Sequence, residues 1–193
     1  MSVLRSMVRQ ALAAVRAFLV LSLLLGLLYP LAFTGLAQVI APRQANGSLV
    51  TSGGRIVGSA LLGQVAPGPQ WFQSRPSDSD YAGDTSGSSN LSPMAAKHLD
   101  AVAQRRRDLE KDNPGATGPI PADALSASSS GLDPHISPEY AAWQAPRVAR
   151  SRSLPLSKVE ELITEHTQGR SLGFLGSPRV NVTELNLALA NAG

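Results

Sequence analysis

A chain of 193 residues with 43% hydrophobic content suits one globular domain of ordinary size plus a further element. The absence of cysteine excludes disulfides, thiolate catalysis, iron–sulfur clusters and Cys-ligated zinc. The formal net charge of +3 comes from the first sixteen residues: of 17 Lys and Arg, three (Arg5, Arg9 and Arg16) precede the rest, leaving 14 against all 14 Asp and Glu. The remainder is formally neutral, and a nucleic-acid partner, which needs a basic surface, is not expected.

Residues 17–40, AFLVLSLLLGLLYPLAFTGLAQVI, are 24 consecutive uncharged positions. As a helix they extend roughly 36 Å, enough to cross a bilayer, and the run is too long for the apolar core of a cleaved signal peptide. Pro30 interrupts it and predicts a kink rather than an end, because hydrophobicity resumes at Leu31. Three arginines and no acid precede the span while the remainder is formally neutral, which predicts, by the positive-inside rule, a cytoplasmic segment 1–16, a transmembrane helix 17–40 and an extracytoplasmic domain 41–193.

After the span, GRIVGSALLGQV carries β-branched Ile56 and Val57 and predicts a strand. Residues 74–92 are dominated by Ser, Asp, Gly and Asn and predict a loop held by its neighbours. Ser92 and Pro93 then predict the start of a helix that buries Met94, Leu99, Val102 and Leu109 and stops at Asn113-Pro114-Gly115. Its Arg105-Arg106-Arg107 cluster, flanked by acids, predicts a solvated face. Prolines at 114, 119, 121, 134, 138 and 146 restrict the backbone that follows, with Ser137 before Pro138 predicting an N-cap. Ser157 with Glu160 predicts a capping box for a helix burying Val159, Leu162 and Ile163 and ending at Gly169. Asn181 with Glu184 predicts a last helix carrying Leu185 and Leu189. The fold class is α/β: one N-terminal transmembrane helix followed by a single mixed α/β extracytoplasmic domain.

Several site chemistries are testable against the sequence. Ser130, Asp133 and His135 are the residue types of a hydrolytic triad, and the restriction that Pro134 places on Asp133 favours a carboxylate–imidazole pair. The alternative of a membrane-anchored extracytoplasmic hydrolase rests on these three, although the G-x-S-x-G elbow is absent. Asp78, Asp80, Gly83 and Asp84 match part of a calcium loop, but Ala82 and Ser89 occupy positions that need oxygen ligands, the latter the closing glutamate. His98, His135 and His166 lack paired ligand spacing, so no metal site is expected. GSALLGQ at 58–64 is glycine-rich without G-K-[ST], a weak phosphate signal, and close packing at a strand edge explains its glycines. Arg75, Arg147, Arg150 and Arg152 with Trp71, Trp143 and Tyr140 are residue types that anchor protein interfaces.

In order along the chain, LLGQ at 61–64, WFQSRPS at 71–77, Tyr81, SGSSNLSP at 86–93, SGLDPHISP at 130–138, Gln144, PRVAR at 146–150 and PRVNVTELNLAL at 178–189 resemble the C subunit of the Kdp-type potassium-transporting ATPase. Ser88 and Ser92 stand where that family usually has glycine, and Thr183 where it usually has leucine. The resemblance implies a non-catalytic accessory subunit of a high-affinity, ATP-driven potassium uptake complex in the plasma (inner) membrane. Its implied partners are a channel-like potassium-binding subunit, a P-type ATPase subunit and a small single-helix subunit. The resemblance further implies that the complex handles ATP and potassium, that this subunit serves assembly, and that it raises nucleotide affinity with Gln64 involved. It assigns interaction or structural roles to Arg75, Pro76, Ser130, Gly131, Asp133, His135, Gln144, Arg147, Arg150 and Asn181, with no cofactor and no catalytic residue in this chain. An extracytoplasmic domain conflicts with direct ATP contact at Gln64, so coupling through the membrane helices is the expected route.

Overall fold

A computed structural model describes residues 2–192, which divide into two compact units at residue 48. In the first unit, helix α1 (Ser2–Leu23) runs through a π-helical turn (Leu24–Leu28) into α2 (Tyr29–Ile40). The continuous stretch Val3–Ile40 has 38 residues, is long and apolar enough to cross a membrane, and is not buried by the rest of the protein. At 1.5 Å per residue it extends about 57 Å, so the helix includes Arg5, Arg9 and Arg16 and exceeds the bilayer's apolar thickness. The irregularity predicted at Pro30 takes the form of the π turn immediately before it, where the Tyr29 amide bonds back to the Leu24 carbonyl. An i→i−5 turn there relieves the contact between the proline ring and the preceding turn, and the helix continues. A short helix α3 (Pro42–Ala45) follows; the Gln38 and Asn46 amides bond reciprocally at 3.2 and 3.0 Å.

The second unit opens with an antiparallel hairpin, β1 (Leu49–Ser52) and β2 (Arg55–Ser59). Gly53 and Gly54 join the strands with φ of 54° and 77°, the left-handed pair that a two-residue hairpin turn requires. Ile56 and Val57 are in β2, as predicted. Helix α4 (Ala96–Asp112), the short α5 (Ala122–Leu125) and strand β3 (His135–Ile136) follow. Helix α6 (Pro138–Arg152), α7 (Leu156–Glu165), β4 (Thr167–Gln168), β5 (Arg179–Asn181) and α8 (Val182–Ala190) complete the domain. Strands β3, β5 and β4 form an antiparallel sheet in that order, with Ile136 and Thr167 on either side of Val180.

The core lies where α6, α7 and α8 meet around this small sheet. Val148, Val159, Val180, Leu185 and Leu189 are fully buried, joined by Phe72 from a segment without regular structure. The buried faces of α7 and α8 follow the predicted periodicity, Val159, Leu162 and Ile163 on one and Leu185 and Leu189 on the other.

Five boundary or packing expectations are corrected. Helix α4 begins at Ala96, because Ser92 closes only a turn, accepting from Met94 N (3.3 Å) and Ala95 N (2.9 Å). No α4 residue is buried: Leu99 is exposed, as is Met94 before the helix, while Ala101, Val102, Arg105 and Leu109 half-bury one stripe. Within the basic cluster Arg105 is therefore not a solvated-face residue, since it donates to the Leu125 carbonyl (3.1 Å) and lies 3.8 Å from Asp78. Helix α7 starts at Leu156, capped by Pro155, which leaves Ser157 inside the first turn rather than in a capping box, and it ends at Glu165. Proline 146 sits inside α6 instead of in a connecting loop. The carbonyl four residues before it belongs to Ala142, an exposed residue, where solvent can take the place of the missing helical bond.

Burial sets the expected response to truncation. Leu185→Ala should lower domain stability by about 3 kcal/mol, the range for an aliphatic side chain removed from a packed core. Leu99→Ala should change it by less than about 0.5 kcal/mol. Thermal unfolding of the full chain checks both, and equal losses would contradict the packing described.

Candidate functional site

Two polar constellations hold the segments that connect the hairpin to the helices. The first clamps residues 69–73, a turn at 68–71 that runs into Phe72 and Gln73. On one side Gln144 of α6, fully buried, accepts from Gln73 N (2.7 Å) through Oε1 and donates through Nε2 to the Gln73 carbonyl (3.1 Å). On the other, Asn186 of α8 repeats the pattern with Phe72: Phe72 N donates to Oδ1 and Nδ2 donates to the Phe72 carbonyl, both at 2.9 Å. Each side-chain amide thus does what a neighbouring strand's backbone would do.

Arg147 locks the same segment. It is 6% exposed, and its guanidinium donates to Asn113 Oδ1 (2.7 Å), Gln144 Oε1 (2.7 Å), the Trp71 carbonyl (2.9 Å) and the Pro69 carbonyl. All four acceptors are neutral, and burial pulls the guanidinium below its ordinary pKa, with nearby Tyr140 and Asp112 opposing the shift. Asn113, the C-cap of α4, is itself braced on Leu109 O (2.9 Å), so Arg147 ties α4, α6 and the 69–73 segment together. At the rim, Arg152 lies over the Trp71 ring at 4.8 Å, a cation–π contact.

The second constellation joins RPSDSDY at 75–81 to SGLDPHIS at 130–137. Asp133 Oδ1 accepts from His135 N (3.0 Å) and faces His135 Nδ1 (3.2 Å), while Oδ2 lies 3.5 Å from Arg75 Nη1. Arg75 also donates to the carbonyls of Ser126 (3.3 Å) and Ala127 (3.2 Å), and Ser128 N donates to the Pro76 carbonyl (2.8 Å). The hydrogen bond to His135 holds the Asp133 carboxyl below its usual value, against the opposing effect of burial and with smaller help from Arg75. Tyr81 donates to the Arg75 carbonyl (2.7 Å), and burial pushes its hydroxyl up to about 12.

Gly131 is the tight point of this junction. It is buried with φ of 70°, its carbonyl accepts from Ser77 Oγ (2.7 Å), and a Cβ would stand 3.0 Å from the Gly87 carbonyl as well as against Ser79 Oγ. Gly63 is a second close approach, since a Cβ there would lie 2.8 Å from the Asp133 carbonyl and against the Tyr81 ring. Of the glycines at 58–64 that the sequence placed at a close-packed strand edge, Gly63 is close-packed but lies beyond β2, which ends at Ser59. Asn181 closes the junction: its Oδ1 caps α8 by accepting from Glu184 N (3.1 Å), and its Nδ2 donates to Ala60 O (2.7 Å).

The predicted site residues therefore separate into groups. Arg75, Pro76, Gly131, Asp133 and His135 converge at one junction; Gln144 and Arg147 belong to the clamp. Ser130 points elsewhere than the imidazole: its Oγ accepts from Leu132 N (3.1 Å) and pairs with Ser128 Oγ (3.2 Å). Arg150 is on the exposed side of α6 with its guanidinium over Gly115. Gln64 is exposed, donates to the Val57 carbonyl (3.1 Å), and lines an apolar groove of about 330 Å³ with Val57, Trp71, Val182 and Leu187. Tyr140 and Trp143, expected at an interface, are core residues, 2% and 8% exposed, because α6 turns that face inward. Ser137 caps α6 as predicted, accepting from Tyr140 N (3.0 Å) while Asp123 accepts from its N (2.7 Å) and Oγ (2.9 Å).

Sequence reasoning missed Gln73, Asn113 and Asn186. The available signal for Asn186 was an amide four residues after Val182, near the buried stripe of α8. Among the described residues no group of three or more His, Asp or Glu converges as a metal-ligand set. Asp78 is engaged with Ser89 N (2.8 Å) and Arg105.

An N-terminal helix long and apolar enough to cross a membrane, followed by an α/β domain, is the architecture of a membrane-anchored protein. A family model described as "K+-transporting ATPase, c chain" matches residues 11–191. The chain is 50% identical over 185 residues to a potassium-transporting ATPase KdpC subunit of Rhodospirillum rubrum, covering 95% of this chain and 96% of that one. A KdpC subunit of Myxococcus xanthus is 50% identical over 181 residues (92% and 86%), and one of Kineococcus radiotolerans 47% over 191 (98% and 97%). The chain belongs to this family, the c chains of K+-transporting ATPases.

The Asp133 geometry generates a pH prediction. A carboxyl whose folded pKa is depressed stabilises the fold above its unfolded value, and that contribution disappears as pH falls through the folded value. The unfolding midpoint of the wild-type domain should therefore fall more steeply below about pH 4 than that of Asp133→Asn. Parallel slopes in pH-dependent unfolding would remove Asp133 as a stabilising carboxylate.

Proposed function

We propose that this subunit acts in potassium uptake as an assembly module rather than as a catalyst, with its α/β domain outside the cytoplasm of a bacterial plasma membrane. The observation that carries this is how Ser130, Asp133 and His135 are used. Their polar atoms brace the 126–137 segment against residues 75–81, and the hydroxyl is bonded to Ser128 and Leu132 rather than presented to the imidazole. A domain whose charged loops are pre-ordered loses little conformational entropy on docking, which is the property an accessory subunit needs. The three N-terminal arginines support an N-terminus in the cytoplasm.

In this reading the domain docks on the channel-like subunit, while the P-type ATPase subunit and the small single-helix subunit contact the complex through the membrane. ATP binding and hydrolysis belong to the ATPase subunit. An influence of this chain on nucleotide affinity travels through the membrane helices, and Gln64 contributes through its groove rather than by holding the nucleotide.

Mild-detergent purification of the complex with His135→Ala tests the reading. The variant should recover several-fold less assembled complex, while the complex that does assemble hydrolyses ATP at the wild-type rate per molecule. Normal assembly with lost turnover would make His135 part of the chemistry and contradict the assembly role.

A further inference from the structure

The segment between β4 and β5 presents apolar side chains that the domain does not use. Leu172, Phe174 and Leu175 are 82%, 68% and 50% exposed, at the tip of a hairpin closed by the Ser171–Leu175 bridge. Leu172 has φ of 54°, a left-handed conformation that costs an ordinary side chain on the order of 1 kcal/mol, with no packing inside the domain to offset it.

We propose that this tip, residues 171–175, is a lipid-interface contact, seating Leu172 and Phe174 among the headgroups and upper acyl chains of the bilayer that holds the N-terminal helix. Three observations favour lipid over a protein pocket. Four of the five backbone amides of the tip are bonded within the hairpin: Ser171 N donates to Leu175 O (2.9 Å), Leu175 N to Ser171 O (2.9 Å), Gly173 N to Arg170 O (3.1 Å) and Phe174 N to Ser171 O (3.3 Å). That is what entry into a poorly hydrated layer demands. Arg170 and Arg179 flank the tip and no acid occurs from His166 to Thr183, which suits anionic headgroups. The chain from Ile40 to the start of β1 at Leu49 has only eight intervening residues, so it reaches at most about 30 Å and keeps the domain beside the bilayer.

The proposal rests on the membrane-anchored reading, and the chain's lack of cysteine provides a test of both. Single-cysteine variants Phe174→Cys, Met94→Cys and Phe18→Cys of the full chain, labelled with an environment-sensitive fluorophore, are reconstituted without other subunits into phosphatidylcholine–phosphatidylglycerol vesicles carrying nitroxide lipids. The expected result is blue-shifted, quenched emission at positions 18 and 174 and unquenched emission at 94. Adding Arg170→Glu should reduce quenching at 174 in these vesicles and leave it unchanged in pure phosphatidylcholine. A water-exposed label at 174 with 18 quenched overturns the proposal and leaves the anchor intact. So does a label at 174 shielded only when the other subunits are added, which would assign the tip to a protein pocket. Equal quenching at 94 and 174 also overturns it, and loss of quenching at both 18 and 174 overturns the anchor together with the proposal.

Discussion

A buried arginine without a carboxylate among its hydrogen-bond partners is the constraint from which the rest of the domain follows. The guanidinium of Arg147 is charged, 94% removed from solvent, and solvated by two side-chain amide oxygens and two backbone carbonyls. Leaving any of those acceptors out would strand a donor of a buried cation, at a cost of several kcal/mol. The geometry of 69–73, the end of α4 and the inner face of α6 must therefore be satisfied together. A lysine at 147 could not reproduce this, because its donors radiate from a single nitrogen instead of spreading across a planar fork.

From that point the two polar constellations divide the work. Gln144 and Asn186 hold the backbone of Gln73 and Phe72 in a segment without regular structure, which places Phe72 in the core and Trp71 at the rim beneath Arg152. The Arg75–Asp133–His135 group fixes the neighbouring loop, and Gly63 and Gly131 allow the backbones to approach closely enough for it to form. Residues that in isolation resemble catalytic parts are used to hold loops in one conformation. That pre-ordering is the property on which the proposed assembly role rests, because docking surfaces ordered in advance need little ordering on contact.

Much of this was legible where local rules and tertiary structure agree. The apolar span, the Ser137 and Asn181 caps, and the buried stripes of α7 and α8 follow from spacing and cap chemistry. The continuation of α6 beyond its Ser137 cap was hidden because Pro146 argues against a helix unless the orphaned carbonyl is known to face solvent. The burial expected of α4 failed for the opposite reason: its few apolar residues suggested a packed face, whereas Arg105 and the Asn113 cap attach it through hydrogen bonds. Strands of two or three residues have no periodicity to read, and their pairing is set by Val180 lying between Ile136 and Thr167. The ion pair of Arg75 with Asp133 spans 58 positions, and no local signal announces it, although the resemblance to a known family had already singled out both residues.

The central claim is that side-chain amides and one arginine hold residues 69–73 as firmly as a sheet would. Amide hydrogen exchange at Phe72 and Gln73, measured in the full chain and in Arg147→Lys, tests it most directly. The account predicts that in the wild type both amides exchange as slowly as Val180 in the central strand, and that the substitution accelerates Phe72 and Gln73 far more than Val180. Wild-type amides at 72 and 73 exchanging at the rate of the exposed loop 83–86 would contradict it.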